Sequence, residues 1–116
     1  MITPLFHVAV LLVLGAVLQP SYAASFPCER AATMTEYTIC QQPSLNDADV
    51  KMATTYSILR KLMPMGSRSL LQEEQVKWLQ LRDQCQDNLQ CLTEVYNMRQ
   101  QKLDLHVQRL YQRGPQ

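Results

Sequence analysis

A chain of 116 residues with a net charge of +1 has room for one domain with one modest core, which excludes a multidomain enzyme. Its averages, 47% hydrophobic and 18% charged, conceal an asymmetry, because all eleven Lys and Arg and all ten Asp and Glu follow residue 28. No basic stripe stands out, so nucleic acid is not an expected partner.

Leu5 to Leu18 is an almost unbroken apolar run of fourteen residues. A helix needs roughly 20 residues to cross about 30 Å of hydrocarbon, so this run suits a signal-peptide core better than a membrane span. The small residues around Ser21-Tyr22-Ala23 place cleavage after Ala23, dividing the chain into a signal peptide at 1–23 and a 93-residue domain at 24–116. Met1 to Pro4 carries no Lys or Arg, and an uncleaved membrane anchor is the rival reading. Four cysteines, Cys28, Cys40, Cys85 and Cys91, all fall in the mature part, the even number expected of a disulfide framework in an oxidising compartment. None directly follows the apolar run in a lipid-attachment context. The expected product is periplasmic or secreted, without stable membrane insertion after cleavage.

Metal binding is the competing use of the cysteines. Zinc sites favour close Cys-x-x-Cys pairs, in which two ligands converge from a tight turn, whereas the spacings here are twelve and six. The mature chain has a single histidine, His106, and it is read as a polar helix-face residue. No metal or cofactor is expected. A Ser or Cys nucleophile also lacks the nearby base it normally requires.

Helix-start signals then recur in chain order. Thr33-x-x-Glu36 and Ser44-x-x-Asp47 set a hydroxyl three residues before a carboxylate, and Ser69-x-x-Gln72 offers the amide version, each a capping-box pattern. They predict a short helix near 34–41 closed by Pro43, a second at 45–63 closed by Pro64 and Gly66, a third at 69–85 and a fourth at 90–111, with Gly114-Pro115-Gln116 fraying. Leu45, Ala48, Met52, Tyr56, Leu59 and Met63 step by three or four along the second helix. Leu71, Trp78 and Cys85 form a stripe in the third, and Leu92, Tyr96, Leu103 and Leu110 one in the fourth. Such stripes are the buried faces of amphipathic helices, and no segment alternates with period two. The fold class is all-α: a disulfide-stapled bundle of one short helix and three longer antiparallel ones.

Tyr56, Trp78 and Tyr96 lie on these stripes and are read as core before any ligand box. Arg82, one turn after Trp78, can lay its stem along the indole, with Asp49 as its acidic partner. Cys85 and Cys91 bracket the turn between the third and fourth helices, where Asp87 or Asn88 can cap the next helix. Cys28 and Cys40 flank the first helix, along which residues 28–33 could fold back. Four cysteines allow three pairings, and these two local bridges are the favoured set.

The string Phe26-x-Cys28, Thr33-x-x-Glu36-x-x-Ile39-Cys40, Pro43-x-Leu45-x-x-x-Asp49-x-x-Met52-x-x-x-Tyr56 resembles the lysozyme inhibitor LprI-like N-terminal domain. Gln75-x-x-Trp78-x-x-x-Arg82-x-x-Cys85 and Cys91-Leu92-x-x-x-Tyr96-x-x-Arg99 continue it, so the resemblance covers nearly the whole mature chain. It implies a small exported helical bacterial protein, in a family whose named member is a lipoprotein that inhibits lysozyme. This chain departs in lacking a lipid-attachment cysteine and in carrying Ala48 and Met52 where Leu is frequent.

Three functions are weighed. The first is inhibition of lysozyme or another wall hydrolase by direct binding. The second is a non-inhibitory envelope interaction or stress-protective role. The third is an enzyme, whose only adjacent carboxylates, Glu73 and Glu74, point about 100° apart on a helix, with Glu73 better explained as the i,i+4 partner of Lys77. Animal lysozymes are commonly basic, and a net charge of +1 argues against long-range attraction. Shape is then the expected means of recognition. Pro64 to Ser69 reads as an exposed connection in which Ser67 and Arg68 form a possible partner-binding loop, entering a cleft to occupy two catalytic acids. The plainer reading is a helix connection capped by Ser69. N-terminal sequencing of the exported protein is expected to begin at Ala24, and an intact Met1 in the membrane fraction would refute the processing site.

Overall fold

The computed structural model describes residues 25–114 together with Gly15, Tyr22 and Ala23. Apart from Gly15, the apolar run of the expected signal peptide lies outside the described residues, as does the tail Pro115-Gln116. A two-residue antiparallel pairing, β1 (Tyr22–Ala23) with β2 (Phe26–Pro27), precedes a 3₁₀ turn at Cys28–Arg30. Four helices follow: α1 (Met34–Gln41), α2 (Pro43–Leu62), α3 (Met65–Gln84) and α4 (Leu89–Arg113). The all-α bundle expected from the apolar spacing is the architecture found. Residues 28–30 form the 3₁₀ turn rather than an extended strand along α1.

Only the first of the three capping boxes forms. Thr33 Oγ1 accepts from the Glu36 backbone N–H at 3.1 Å, and Glu36 Oε1 accepts from that of Thr33 at 3.2 Å. At the other two starts proline replaces the hydroxyl cap. Pro43 occupies the first turn of α2, and Pro64 is the N-cap of α3 with φ −58°. Proline lacks an N–H, and the first turn of a helix is where that donor would have no helical partner. Both prolines therefore open the helix that follows as well as ending the one before. α2 starts two residues and α3 four residues earlier than the sequence reading placed them. Ser69 is no cap: it lies inside α3 and donates its hydroxyl to the Met65 carbonyl at 3.3 Å. Asn88 does cap α4, accepting from the Cys91 N–H at 2.9 Å.

Ile39, Leu45, Met52, Leu59, Leu71, Trp78, Leu92, Tyr96 and Leu103 form the buried core, with Tyr56, Ala48, Met63 and Leu110 packed partly buried against it. Apart from Ile39, which α1 contributes, these are the stripes anticipated from period-3.6 spacing. Trp78 sets its ring edge-on to Tyr96 at 5.0 Å and donates its indole N–H to the Val95 carbonyl at 3.0 Å, so its one polar atom is satisfied. Two bridges close one end of the bundle, Cys28–Cys40 with Cα atoms 5.8 Å apart and Cys85–Cys91 at 5.5 Å. Inside the second, Gln86 takes a left-handed φ of 54° as the chain turns between α3 and α4. A bridge closing a short loop stabilises by about 3 kcal/mol, a large share of the stability of so small a domain.

Two measurements check this core. Trp78→Ala is expected to destabilise by about 3–5 kcal/mol in chemical denaturation. Non-reduced tryptic digestion is expected to release Asp83 to Arg99 as one peptide two hydrogens light, since no Lys or Arg lies between its ends.

Candidate functional site

The chemically densest cluster of the described residues is a buried polar network between the helices. Asp49 on α2 is 0% exposed. The Tyr96 hydroxyl donates to Asp49 Oδ1 at 2.6 Å, while Ser25 donates its hydroxyl at 2.7–2.8 Å and its backbone N–H at 3.2 Å. Arg82 Nη1 stands 3.9 Å from the same carboxylate, a Coulombic rather than a hydrogen-bonding separation. The Arg82 guanidinium is fixed by Asp83 at 2.9–3.0 Å and lies over the rings of Phe26 and Trp78 at 5.7 and 6.0 Å. Asp83 is thus the nearer acid to Arg82, and Asp49, the partner anticipated from the sequence, is the deeper one. Burial, reinforced by the Asp49 carboxylate, pushes the Tyr96 phenol well above its ordinary range, so the hydroxyl remains a donor.

A second network lies further along α3 and α4. Arg99 Nε donates to Gln75 Oε1 at 3.0 Å, and Gln75 Nε2 donates to the Met52 sulfur at 3.3 Å. Arg99 Nη1 lies 3.5 Å from Glu74 Oε2, with His106 Nε2 at 3.9 Å from the same oxygen. Burial lowers the pKa of Arg99 and Glu74 opposes that shift. Glu73 meanwhile pairs with Lys77 at 3.5 Å on the surface. The adjacent carboxylates therefore face different partners and share no site. Among the described residues no group of three or more His, Cys, Asp and Glu could hold a metal ion, and no helix is long and apolar enough to cross a membrane.

Ser67 and Arg68 do not sit on a loop. Only Met63 and Pro64 separate α2 from α3, and both residues belong to the first turns of α3. Ser67 is exposed. Arg68 folds back, its Nη2 donating to the Met63 carbonyl at 3.3 Å, where it satisfies an acceptor beyond the end of α2.

Charge is segregated between the two ends of the bundle. Residues 25–50 and 79–98, around the disulfides, carry seven carboxylates against two guanidinium groups. Residues 56–72 and 105–114 carry five cations and no carboxylate, and the antiparallel helices bring these two segments together at the far end, where Leu62, Pro64, Leu110 and Arg113 line one cleft. The near-neutral total is a difference between opposed ends.

A family model described as lysozyme inhibitor LprI matches residues 28–112. The chain belongs to this family. No curated protein and no solved structure matches it. The matched segment contains both disulfides and α1 to α3 with nearly all of α4. Within it, five of the polar positions that carry the LprI resemblance, Asp49, Gln75, Arg82, Tyr96 and Arg99, have their side chains engaged in the two buried networks, while Thr33 and Glu36 form the cap of α1. Ser25 lies outside the match and was not singled out by the sequence; a serine two residues beyond an expected cleavage site carries no pattern. Gln75 and Arg99 stood within the resemblance without an assigned role.

Asp49→Ala is expected to destabilise by about 3–5 kcal/mol, because it leaves Arg82 and the Tyr96 hydroxyl buried without the carboxylate. Tyr96→Phe, which removes one donor and keeps the ring, is expected to cost about 1–3 kcal/mol. Equal losses in urea unfolding would show that Asp49 acts through Tyr96 alone.

Proposed function

We propose that the chain is exported, processed after Ala23, and inhibits lysozyme or another wall hydrolase by direct one-to-one binding in the periplasm or outside the cell, without turnover. The observation that carries this reading is the family match over residues 28–112. Two disulfides at one end support it, since such bridges persist in oxidising compartments. A scaffold stapled in this way loses little entropy on docking.

The polar side chains of the buried networks are consumed inside the fold, so recognition falls to the surface. The acidic stapled end suits a basic hydrolase. Asp87 within the Cys85–Cys91 turn and Glu94 just beyond it in α4, both exposed, supply charge for steering despite the net +1. This revises the expectation that a nearly neutral chain gains nothing from long-range attraction. Ser67 and Arg68, the contact pair expected from the sequence, lie at the other end of the bundle and are not needed in this reading, Arg68 being turned onto the Met63 carbonyl.

Inhibition of lysozyme on purified wall material tests the reading. Asp87→Asn with Glu94→Gln is expected to weaken inhibition about tenfold, mostly through a slower and less salt-dependent association rate. Ser67→Ala with Arg68→Ala is expected to leave it unchanged; loss of inhibition by that folded double variant would move the contact to the start of α3. Absence of inhibition by the parent protein, against lysozyme and against wall hydrolases recovered from periplasmic extract, would reject the inhibitor reading in favour of a non-inhibitory envelope role.

A further inference from the structure

The end of the bundle opposite the disulfides presents large apolar side chains to solvent. Leu62 and Met65 stand on either side of the α2–α3 junction at 65% and 77% exposure, and Tyr111 near the end of α4 is 88% exposed. Behind them an open cleft of about 650 Å³ runs between α2 and α4, lined by Ile58, Leu62, Val107 and Leu110 among others. An apolar surface of this kind on a small protein marks an interaction site. Its surroundings are cationic: Arg60, Lys61, Arg109 and Arg113 are exposed around it, and residues 56–72 and 105–114 contain no carboxylate.

We propose that this end docks reversibly on an anionic phospholipid surface, with Leu62, Met65 and Tyr111 entering the interface and the four exposed cations meeting lipid phosphates. The inference is independent of the hydrolase reading, which rests on the family match and on the opposite end.

Charge and shape select this occupant. A second copy joined through the same face would bring like charges together, since Glu74, which lines a cavity with Arg109 and Arg113, is already held by Arg99. Leu62 and Met65 project from a helix–helix junction, and projecting apolar groups need a partner that yields around them, as acyl chains do. Long Arg and Lys side chains can reach phosphates while their stems lie along apolar surface, and a tyrosine at the headgroup level keeps its hydroxyl wet and its ring buried. Apolar burial and attraction to anionic headgroups then add. The buried core and both disulfides lie between Cys28 and Leu103, so a chain beginning at Ala24 gives up the β1–β2 pairing but retains the four helices, the core and the bridges, and it removes the apolar run of residues 5–18 from the measurement.

The test is co-sedimentation of the chain beginning at Ala24 with vesicles of phosphatidylcholine alone and of phosphatidylcholine mixed with phosphatidylglycerol. Binding is expected on the mixed vesicles, about tenfold or more weaker on the neutral ones, and falling with salt. Leu62→Gln with Met65→Gln, and separately Arg109→Gln with Arg113→Gln, are each expected to reduce it about tenfold while circular dichroism and melting stay unchanged. No preference for anionic vesicles, or folded variants that bind like the parent, would overturn the proposal. So would self-association abolished by Leu62→Gln with Met65→Gln in the absence of vesicle binding, which would make the face a contact between copies. Capture of a hydrolase that depends on these residues, again without vesicle binding, would make it a protein-binding face.

Discussion

A carboxylate with no exposure to solvent organises this molecule. Asp49 is viable inside the bundle because three neighbours meet it from different parts of the chain: the Tyr96 hydroxyl from α4, Ser25 from the segment before the first bridge, and the Arg82 guanidinium from α3. Taking a carboxylate out of water is expensive unless its charge and lone pairs are compensated, so the arrangement ties α2 to both other long helices and to the N-terminal segment at one point. A shift of one residue in any of the three long helices would remove a partner and strand the charge. The apolar stripes alone tolerate such slippage far better, because hydrophobic contact is non-directional.

The same constraint explains what the LprI resemblance records. Among its polar and aromatic positions Asp49, Gln75, Trp78, Arg82, Tyr96 and Arg99 interlock inside the fold, while Thr33 and Glu36 cap α1 at the surface. Trp78 donates to a backbone carbonyl and packs on Tyr96, Arg82 spans Phe26, Trp78 and Asp83, and Arg99 holds Gln75 beside Met52. A signature of this kind specifies how helices register against one another. It leaves the surface free to differ, and the surface is where binding is decided.

On that surface the two ends of the bundle differ in chemistry. The disulfides, the turn between α3 and α4 and most of the carboxylates occupy one end; at the other, exposed Leu62, Met65 and Tyr111 are surrounded by cations, whereas the exposed Met34, Tyr37 and Leu89 of the first end are not. A rigid body with opposed ends can meet a protein at one and a lipid surface at the other without the two contacts competing.

The helical class and the apolar faces were legible in the order of the residues, which also favoured the local cysteine pairs that the structure contains. Residues three and four apart share a helix face whatever the tertiary context, and cysteines at either end of one turn or one short helix are near each other before the chain folds. Thr33 and Glu36 were legible for the same reason, since both halves of that cap lie within one turn. Tertiary structure decided the rest. Asp49 beside an apolar stripe reads the same in sequence whether solvated or buried, and only the meeting of α2, α3, α4 and Ser25 makes it the centre of a network. Pro43 and Pro64 can end one helix or begin the next, and close packing of successive helices used them for both. Ser67 and Arg68 looked like a loop because Pro64 and Gly66 are breakers in isolation, yet α3 extends through them and Arg68 turns to the carbonyl of Met63. The cationic end arises because antiparallel helices juxtapose residues 56–72 with 105–114, segments that lie far apart in the chain and whose charges, taken along it, nearly cancel against the remainder.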